Sequence, residues 1–293
     1  MASAQLRDTR RRIKSIEATK KITRAMELIA ASRIPKAQAR VQGSKPYTSK
    51  LIEVIENVSA AGAGGHRLLE RRDQKTVGLL VVSSDRGLAG AYASNVIRLA
   101  ELRIRELDKE GKDVLVYAVG KKAQSYFRYR GYRIEQVYLG VTDTPGYGDA
   151  RAMANTVMEA YARGRVDAVE GFFTRFESAL TQTPIRMELL PITPPEMGEE
   201  ERGARISYQF EPSPGEILNR LLPRYVEAII FNMLLEASAS EHSARRRAMK
   251  AATDNAEELI TNLTMRANRA RQAEITTAIT EIVGGAQALA DSR

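Results

Sequence analysis

The sequence contains no cysteine. That absence removes disulfides, thiolate metal sites, cysteine nucleophiles and thiol redox switching together. Histidine is almost as scarce: there is only His66, in a glycine-rich stretch, and His242, in a helical pattern. Two histidines so far apart do not make a metal cluster, and each reads as a solvated loop or surface residue. No apolar run approaches the roughly 18 residues that a membrane span needs. The start of the chain is too charged for the apolar core of a signal peptide. There is no G-x-x-x-x-G-K-[ST] loop to cradle phosphates, and residues 1–46 hold no aromatic side chain.

What is present is a chain of 293 residues, 43% hydrophobic and 28% charged, long enough for one large domain or two ordinary ones. Its charge is unevenly spread. Residues 1–50 hold 13 Lys/Arg against 3 Asp/Glu, whereas residues 213–293 hold 10 of each. The net excess of +9 is therefore a property of the N-terminal segment. Such a segment suits an acidic partner: a phosphate backbone, anionic lipid or a carboxylate-lined protein surface.

Helix formers dominate from about Gln5 to Val58, and Ile13, Ile16, Ile22, Met26 and Ile29 recur roughly on one stripe. Pro35 lies within the pattern, so a bend or defect is expected there, and the glycines of AGAGG (61–65) end it. The other end of the chain mirrors this. SPGE (213–216) is a helix start, with Ser213 as cap, Pro214 in the first turn and Glu216 completing a capping box. The pattern then runs to the glycine pair at 284–285, which at about 1.5 Å per residue is roughly 100 Å of helix. Within it Met249, Ala256, Leu263 and Ala270 recur every seventh residue, and Ile260 and Ala267 fill a second seam position. That is coiled-coil register, in an alanine-rich seam. The terminal helices are expected to pair antiparallel, although an ordinary helical bundle also accounts for them.

Between them the period changes. VGLLVV (77–82), DVLVYAV (113–119), RIEQVYL (133–139), VDAVEGFF (166–173) and PIRMELLPI (184–192) read as strands. Helical spacing over 91–107 and 149–163 separates them, so the expected fold class is α/β, a doubly wound and mostly parallel sheet, inserted between long coiled-coil helices. The expected organisation is an N-terminal helix over 1–60, the α/β domain over 70–210 and a C-terminal helix over 213–293.

Several motifs invite chemistry. SSDRGLAGAY (83–92) follows the first strand and opens a helix, where a dinucleotide fold places its phosphate loop. Its spacing is Gly87-x-x-Gly90 with no third glycine, which reads as a tight turn needing small residues. DTPG (143–146) is a turn. Asp85, Asp143 and Asp149 lack any neighbouring histidine and suit turn and cap roles better than a metal. Ser-His-Asp catalysis would need His66 or His242, and neither lies beside a nucleophile. No catalytic, cofactor-binding or metal residue is assigned. A nucleotide-dependent enzyme with helical extensions and a nucleic-acid-binding coiled coil remain the competing classes. The lack of interleaved aromatics weighs against the second.

KITRAMELIAASRI (21–34), SSDRGLAGAY (83–92), PRYVEA (223–228), AMKAATDNA (248–256) and ITEIVGGAQA (279–288), in order along the chain, together resemble the gamma-subunit family of F-type ATP synthases. The resemblance implies a non-catalytic rotor shaft. Its terminal helices form a coiled coil inside a ring of three alpha and three beta subunits. The α/β domain sits at the foot, beside the epsilon subunit and the membrane c-ring. Rotation of the ring would then drive ATP synthesis at the beta sites. The resemblance assigns Lys20, Lys21, Arg24, Met26, Arg245, Gln272 and Thr276 to contacts with the beta subunits, with Ile22, Ala25 and Ile29 serving the seam. It assigns Tyr208 and Glu211, in SYQFEP, to contacts with epsilon or the c-ring. It implies no cofactor, no nucleic acid and no span of its own. The implied location is the cytoplasmic face of a bacterial plasma membrane, as a peripheral protein. One departure is Ala278, where the family's I-T-x-E signature carries a carboxylate; Glu281 of the same signature is present.

Overall fold

The structure, a computed structural model, describes residues 2–60, 66–193, 211 and 213–291. Helix α1 spans Ala2–Ala60 and α5 spans Pro214–Asp291. Between them run β1 (Thr76–Val82), α2 (Tyr92–Lys109), β2 (Asp113–Val119), α3 (Lys121–Tyr129), β3 (Ile134–Tyr138), α4 (Tyr147–Ala162), β4 (Ala168–Phe176) and β5 (Gln182–Leu190). The chain divides into two compact units, Met1–Ile29 with Arg246–Arg293, and Ala30–Arg245.

In the second unit the sheet order is β3-β2-β1-β4-β5. β1 pairs in parallel with β2 and β4, β2 in parallel with β3, and β5 runs antiparallel to β4. β1 is buried on both faces, which is why it reads as an unbroken apolar run. Its alternate residues divide between two cores. Val77, Leu79 and Val81 pack with Val96, Ile104 and Phe127 from α2 and α3. Leu80 and Val82 pack with Met153 and Val157 of α4 and, from the same unit, with Leu51 and Ile55 of α1 and Leu222 and Val226 of α5. The inserted fold is thus a three-layer α/β unit that closes one face with stretches of the terminal helices.

α1 continues through Pro35 and through a second proline, Pro46, so neither ring ends the helix. Each ring removes one helical donor, and tertiary burial of Ile34, Val41, Leu51 and Ile55 on both sides of the prolines offsets that loss. α5 likewise does not stop at the glycine pair, since Gly284 and Gly285 both lie inside it. The expected ending at AGAGG lies outside the described residues. Ser213 does cap α5, its hydroxyl oxygen accepting from the Glu216 amide at 3.3 Å. α3 has no counterpart in the sequence patterns. It is a nine-residue helix with only Ala123 and Phe127 buried, too short to display a period. It supplies the crossover that two parallel strands, β2 and β3, require.

The aspartates do hold turns. Asp85 accepts from the amides of Lys121 and Gly140 and from the Thr142 hydroxyl, tying the carboxyl ends of β1, β2 and β3 together. Asp149 accepts from the Gly146 amide at the start of α4.

Candidate functional site

In the first unit, α1 and α5 run antiparallel: Lys20 pairs with Glu257 at 3.1 Å, and one turn on, Thr23 meets Thr253 at 2.8 Å. The seam follows a strict alternation of three and four. On α1 it takes Leu6, Thr9, Ile13, Ile16, Lys20, Thr23 and Glu27, all buried or half-buried. On α5 it takes Met249, Thr253, Ala256, Ile260, Leu263, Ala267, Ala270 and Glu274. The alanines keep the helices close.

This register corrects the sequence reading of α1. Ile13 and Ile16 belong to the seam, but Ile22 is 61% exposed, Ile29 is 54% exposed and Ala25 is exposed as well. A heptad step from Ile13 and Ile16 lands on Lys20 and Thr23, not on Ile22. The apolar stripe was misread because the seam turns polar at Lys20, Thr23 and Glu27, whereas apolar residues continue one position away. Ile22, Leu28 and Ile29 therefore lie on the outside of the helix pair.

The assigned positions differ in what they can offer. Lys21 is exposed. Arg24 is more than half exposed but donates to the buried carboxylate of Glu27 at 2.9 Å. Lys20 is half-buried, with its charge matched by Glu257. Met26 is half-buried, and Gln272 and Thr276 are exposed on α5. The Thr276 hydroxyl donates to the Gln272 carbonyl at 2.9 Å, and Thr277 and Thr280 bond back four residues in the same way. These hydroxyls are satisfied on their own helix and make little polar demand on whatever lies alongside. Beyond Glu274, α5 is exposed as far as its side chains are described, with Ile275, Ile279, Ile282 and Val283 all open.

Arg245 belongs to the second unit and is buried there, 2.5 Å from Glu241 and 3.4 Å from the Gly87 carbonyl. Burial raises the Glu241 carboxyl, and Arg245 opposes that shift. His242 follows directly and corrects its expected surface role, for it is only 3% exposed. Its Nε2 lies 3.3 Å from the Asp143 carbonyl, and Ser238 donates to the same oxygen at 2.9 Å. Arg33 grips the Asp143 carboxylate, and Arg40 donates to the Pro145 carbonyl. The DTPG turn is thus clamped between α1 and α5, a set of contacts that no sequence spacing reveals. His66 sits in a loop as expected, its Nδ1 accepting from the Leu68 amide. Glu211 is exposed in a bend, and Tyr208 lies outside the described residues. Among the described residues no three carboxylates or histidines are grouped to hold a metal ion. No helix among them is long and apolar enough to cross a membrane.

A family model described as ATP synthase matches residues 5–289. The chain is 48% identical to the ATP synthase gamma chain of Parafrankia sp. (strain EAN1pec), covering 98% of this chain and 99% of the relative. It is 46% identical to that of Mycolicibacterium smegmatis, covering 99% and 100%, and 49% identical to that of Acidothermus cellulolyticus, covering 98% and 97%. Among solved structures, a chain of the Euglena gracilis mitochondrial ATP synthase in a rotational state matches with a TM-score of 0.66 at 14% identity, covering 98% of this chain and 95% of that one. A chain of the Tetrahymena thermophila mitochondrial ATP synthase central stalk and c-ring matches with a TM-score of 0.59 at 22% identity, covering 79% and 99%. These two likenesses carry the fold.

Proposed function

The chain belongs to the ATP synthase gamma-chain family, and on that premise we propose that its paired terminal helices are the central rotor shaft of an F-type ATP synthase. The shaft couples proton-driven rotation of the membrane c-ring to ATP synthesis at the beta subunits, and it is not itself the catalyst. The proposed surroundings are three alpha and three beta subunits about the helices, with epsilon and the c-ring beside the inserted unit. The whole assembly stands on the cytoplasmic face of the bacterial plasma membrane.

The observation that carries this reading is the exposed stretch of α5. A lone helix is marginal in water, and Ile275, Ile279, Ile282 and Val283 open to solvent make it more so. Together with Ile22, Leu28 and Ile29 they form surfaces that ask for a surrounding sleeve. The back-bonded threonines suit a sleeve past which the helix must turn, because they offer few directional bonds. Lys21 and Arg24 supply exposed positive charge toward beta carboxylates, where part-solvated pairs are individually weak. Gln272, Thr276 and Met26 complete the proposed contacts. Lys20 and Arg245 contribute from within, because their charges are already matched inside the chain.

The absence of cysteine makes the test clean. A tagged chain carrying Ile279→Cys or Lys21→Cys is expected to co-purify with alpha, beta and epsilon subunits and to cross-link to beta. An assembled complex in which neither position reaches beta overturns the assignment.

A further inference from the structure

Where the chain leaves β1 and enters α2, the inserted unit holds a cavity of about 470 Å³. Three cations line it: Arg86 from the turn, Arg98 from α2 and Lys122 from α3. Among the described residues none of the three makes an ion pair or a side-chain hydrogen bond. The contrast lies on the same helix, where Arg103 is held by Glu170 at 3.0 Å and Arg105 by Glu101 at 3.1 Å. One carboxylate, Glu101, borders the cavity, and it is already engaged by the Tyr126 hydroxyl at 2.7 Å and by Arg105 and Arg130. The Asp143 carboxylate balances Arg86 in part, so the uncompensated positive charge at the cavity rests on Arg98 and Lys122.

One polar side chain in its wall is also without a partner. Ser84 lines the cavity and is fully buried, yet its hydroxyl has no hydrogen-bond partner. α2 opens onto the cavity through Ala93 and Ser94, and Ala91 at its N-cap has no side chain that can accept from the first turn. The turn itself, with Leu88 at φ 63° and Gly90 at φ 58°, brings backbone close to the same space. Lys122 reaches over Gly87, where an added Cβ would stand 3.7 Å from its Nζ. β1 is the strand at which the sheet order reverses, the chain building outward through β2 and β3 before returning on the other side as β4. Doubly wound sheets bind ligands at the carboxyl end of such a strand, and an uncapped helix start there favours an anion. The volume lies within the range of small-molecule sites.

We propose that this cavity binds a phosphate group, carried either by inorganic phosphate or by a nucleotide. Three cations, the Ser84 hydroxyl and the α2 amides supply the donors that phosphate oxygens require. The glycine spacing of the turn differs from that of dinucleotide folds, so recognition rests on side-chain charge more than on a glycine-lined cradle. This site is independent of the rotor assignment.

Calorimetric titration of the full chain with inorganic phosphate, pyrophosphate and ATP at low ionic strength tests the proposal. Saturable binding at one site is expected, and the ranking of the three ligands distinguishes free phosphate from a nucleotide. Arg98→Gln and Lys122→Gln each remove a charged donor and should weaken binding about tenfold. Because neither side chain has a partner, the unliganded variants should melt as the parent does. Arg86→Gln, on the turn, gives the same comparison should a variant lose structure. No saturable binding, or unchanged affinity in folded Arg98→Gln and Lys122→Gln, overturns the proposal. So does tighter binding of a glutamate-rich peptide than of every phosphate ligand, which would assign the cavity to a protein carboxylate.

Discussion

The hydroxyl oxygens of Thr23 and Thr253 lie 2.8 Å apart, buried in the seam between α1 and α5. Each also lies within bonding distance of a carbonyl on its own helix, Lys20 for Thr23 and Met249 for Thr253. Each hydroxyl has one proton, so one threonine donates across the seam and the other back to its helix. Thr23→Val or Thr253→Val should each cost about 1 kcal/mol of unfolding free energy. The double variant should cost clearly less than the sum, because it leaves no hydroxyl facing an apolar partner. A urea-unfolding double-mutant cycle checks this, and additive losses would show that the two do not interact.

Arg24 is tied to the seam as well as exposed. Removing it strands the Glu27 carboxylate, which is buried, so Arg24→Gln should destabilise the helix pair by about 1–3 kcal/mol. Adding Glu27→Gln should restore part of that loss. If ATP-coupled proton pumping returns with stability in the double variant, the Arg24 defect is one of folding. If pumping stays low while stability recovers, Arg24 acts on the beta subunits.

His242 gives the second unit an acid-sensitive element. Burial lowers its pKa below 6.5, and the nearby Asp143 opposes that shift without reversing it. The folded-state value is depressed, so below about 6.5 the unfolded chain binds more protons and stability falls with pH. Around it, Arg33 and Arg245 also disfavour the charged imidazole. Burial raises Glu241, so its titration works in the opposite sense and sets in only near and above the usual carboxylate range. His242→Gln should flatten the loss of thermal stability between about pH 7 and about pH 5. An unchanged slope would place the titration elsewhere.

Gly120 has φ 89°, and a Cβ there would stand 2.8 Å from the Ser84 carbonyl carbon. The nearest atoms, from Ser83 and Ser84, are all backbone, so nothing nearby can move aside cheaply. Gly120→Ala should cost about 3 kcal/mol. Gly171→Ala meets mainly the flexible end of Met233 and should cost less. Paired thermal melts decide the order.

The strands were legible because β1 and β2 are buried on both faces and so show as continuous apolar runs. The C-terminal seam was legible because Met249, Ala256 and Leu263 keep their period. The N-terminal seam was not, because Lys20, Thr23 and Glu27 occupy it while Ile22 and Ile29 face outward. Burial of polar groups that satisfy one another across two helices leaves no apolar signature. The same holds for His242 and the Arg33–Asp143 clamp, whose partners are separated by about a hundred residues or more. The helix end expected at the Gly284–Gly285 pair gave glycine too much weight, since α5 runs on through both residues.

The central claim is that the chain turns inside its complex. A bead attached through a single cysteine in the inserted unit, on a complex of this chain with immobilised alpha and beta subunits, tests it directly. During ATP hydrolysis the bead should rotate continuously in one direction, and it should stop when hydrolysis stops. Hydrolysis at the full rate beneath a stationary bead, in a complex that holds every subunit, would contradict the account.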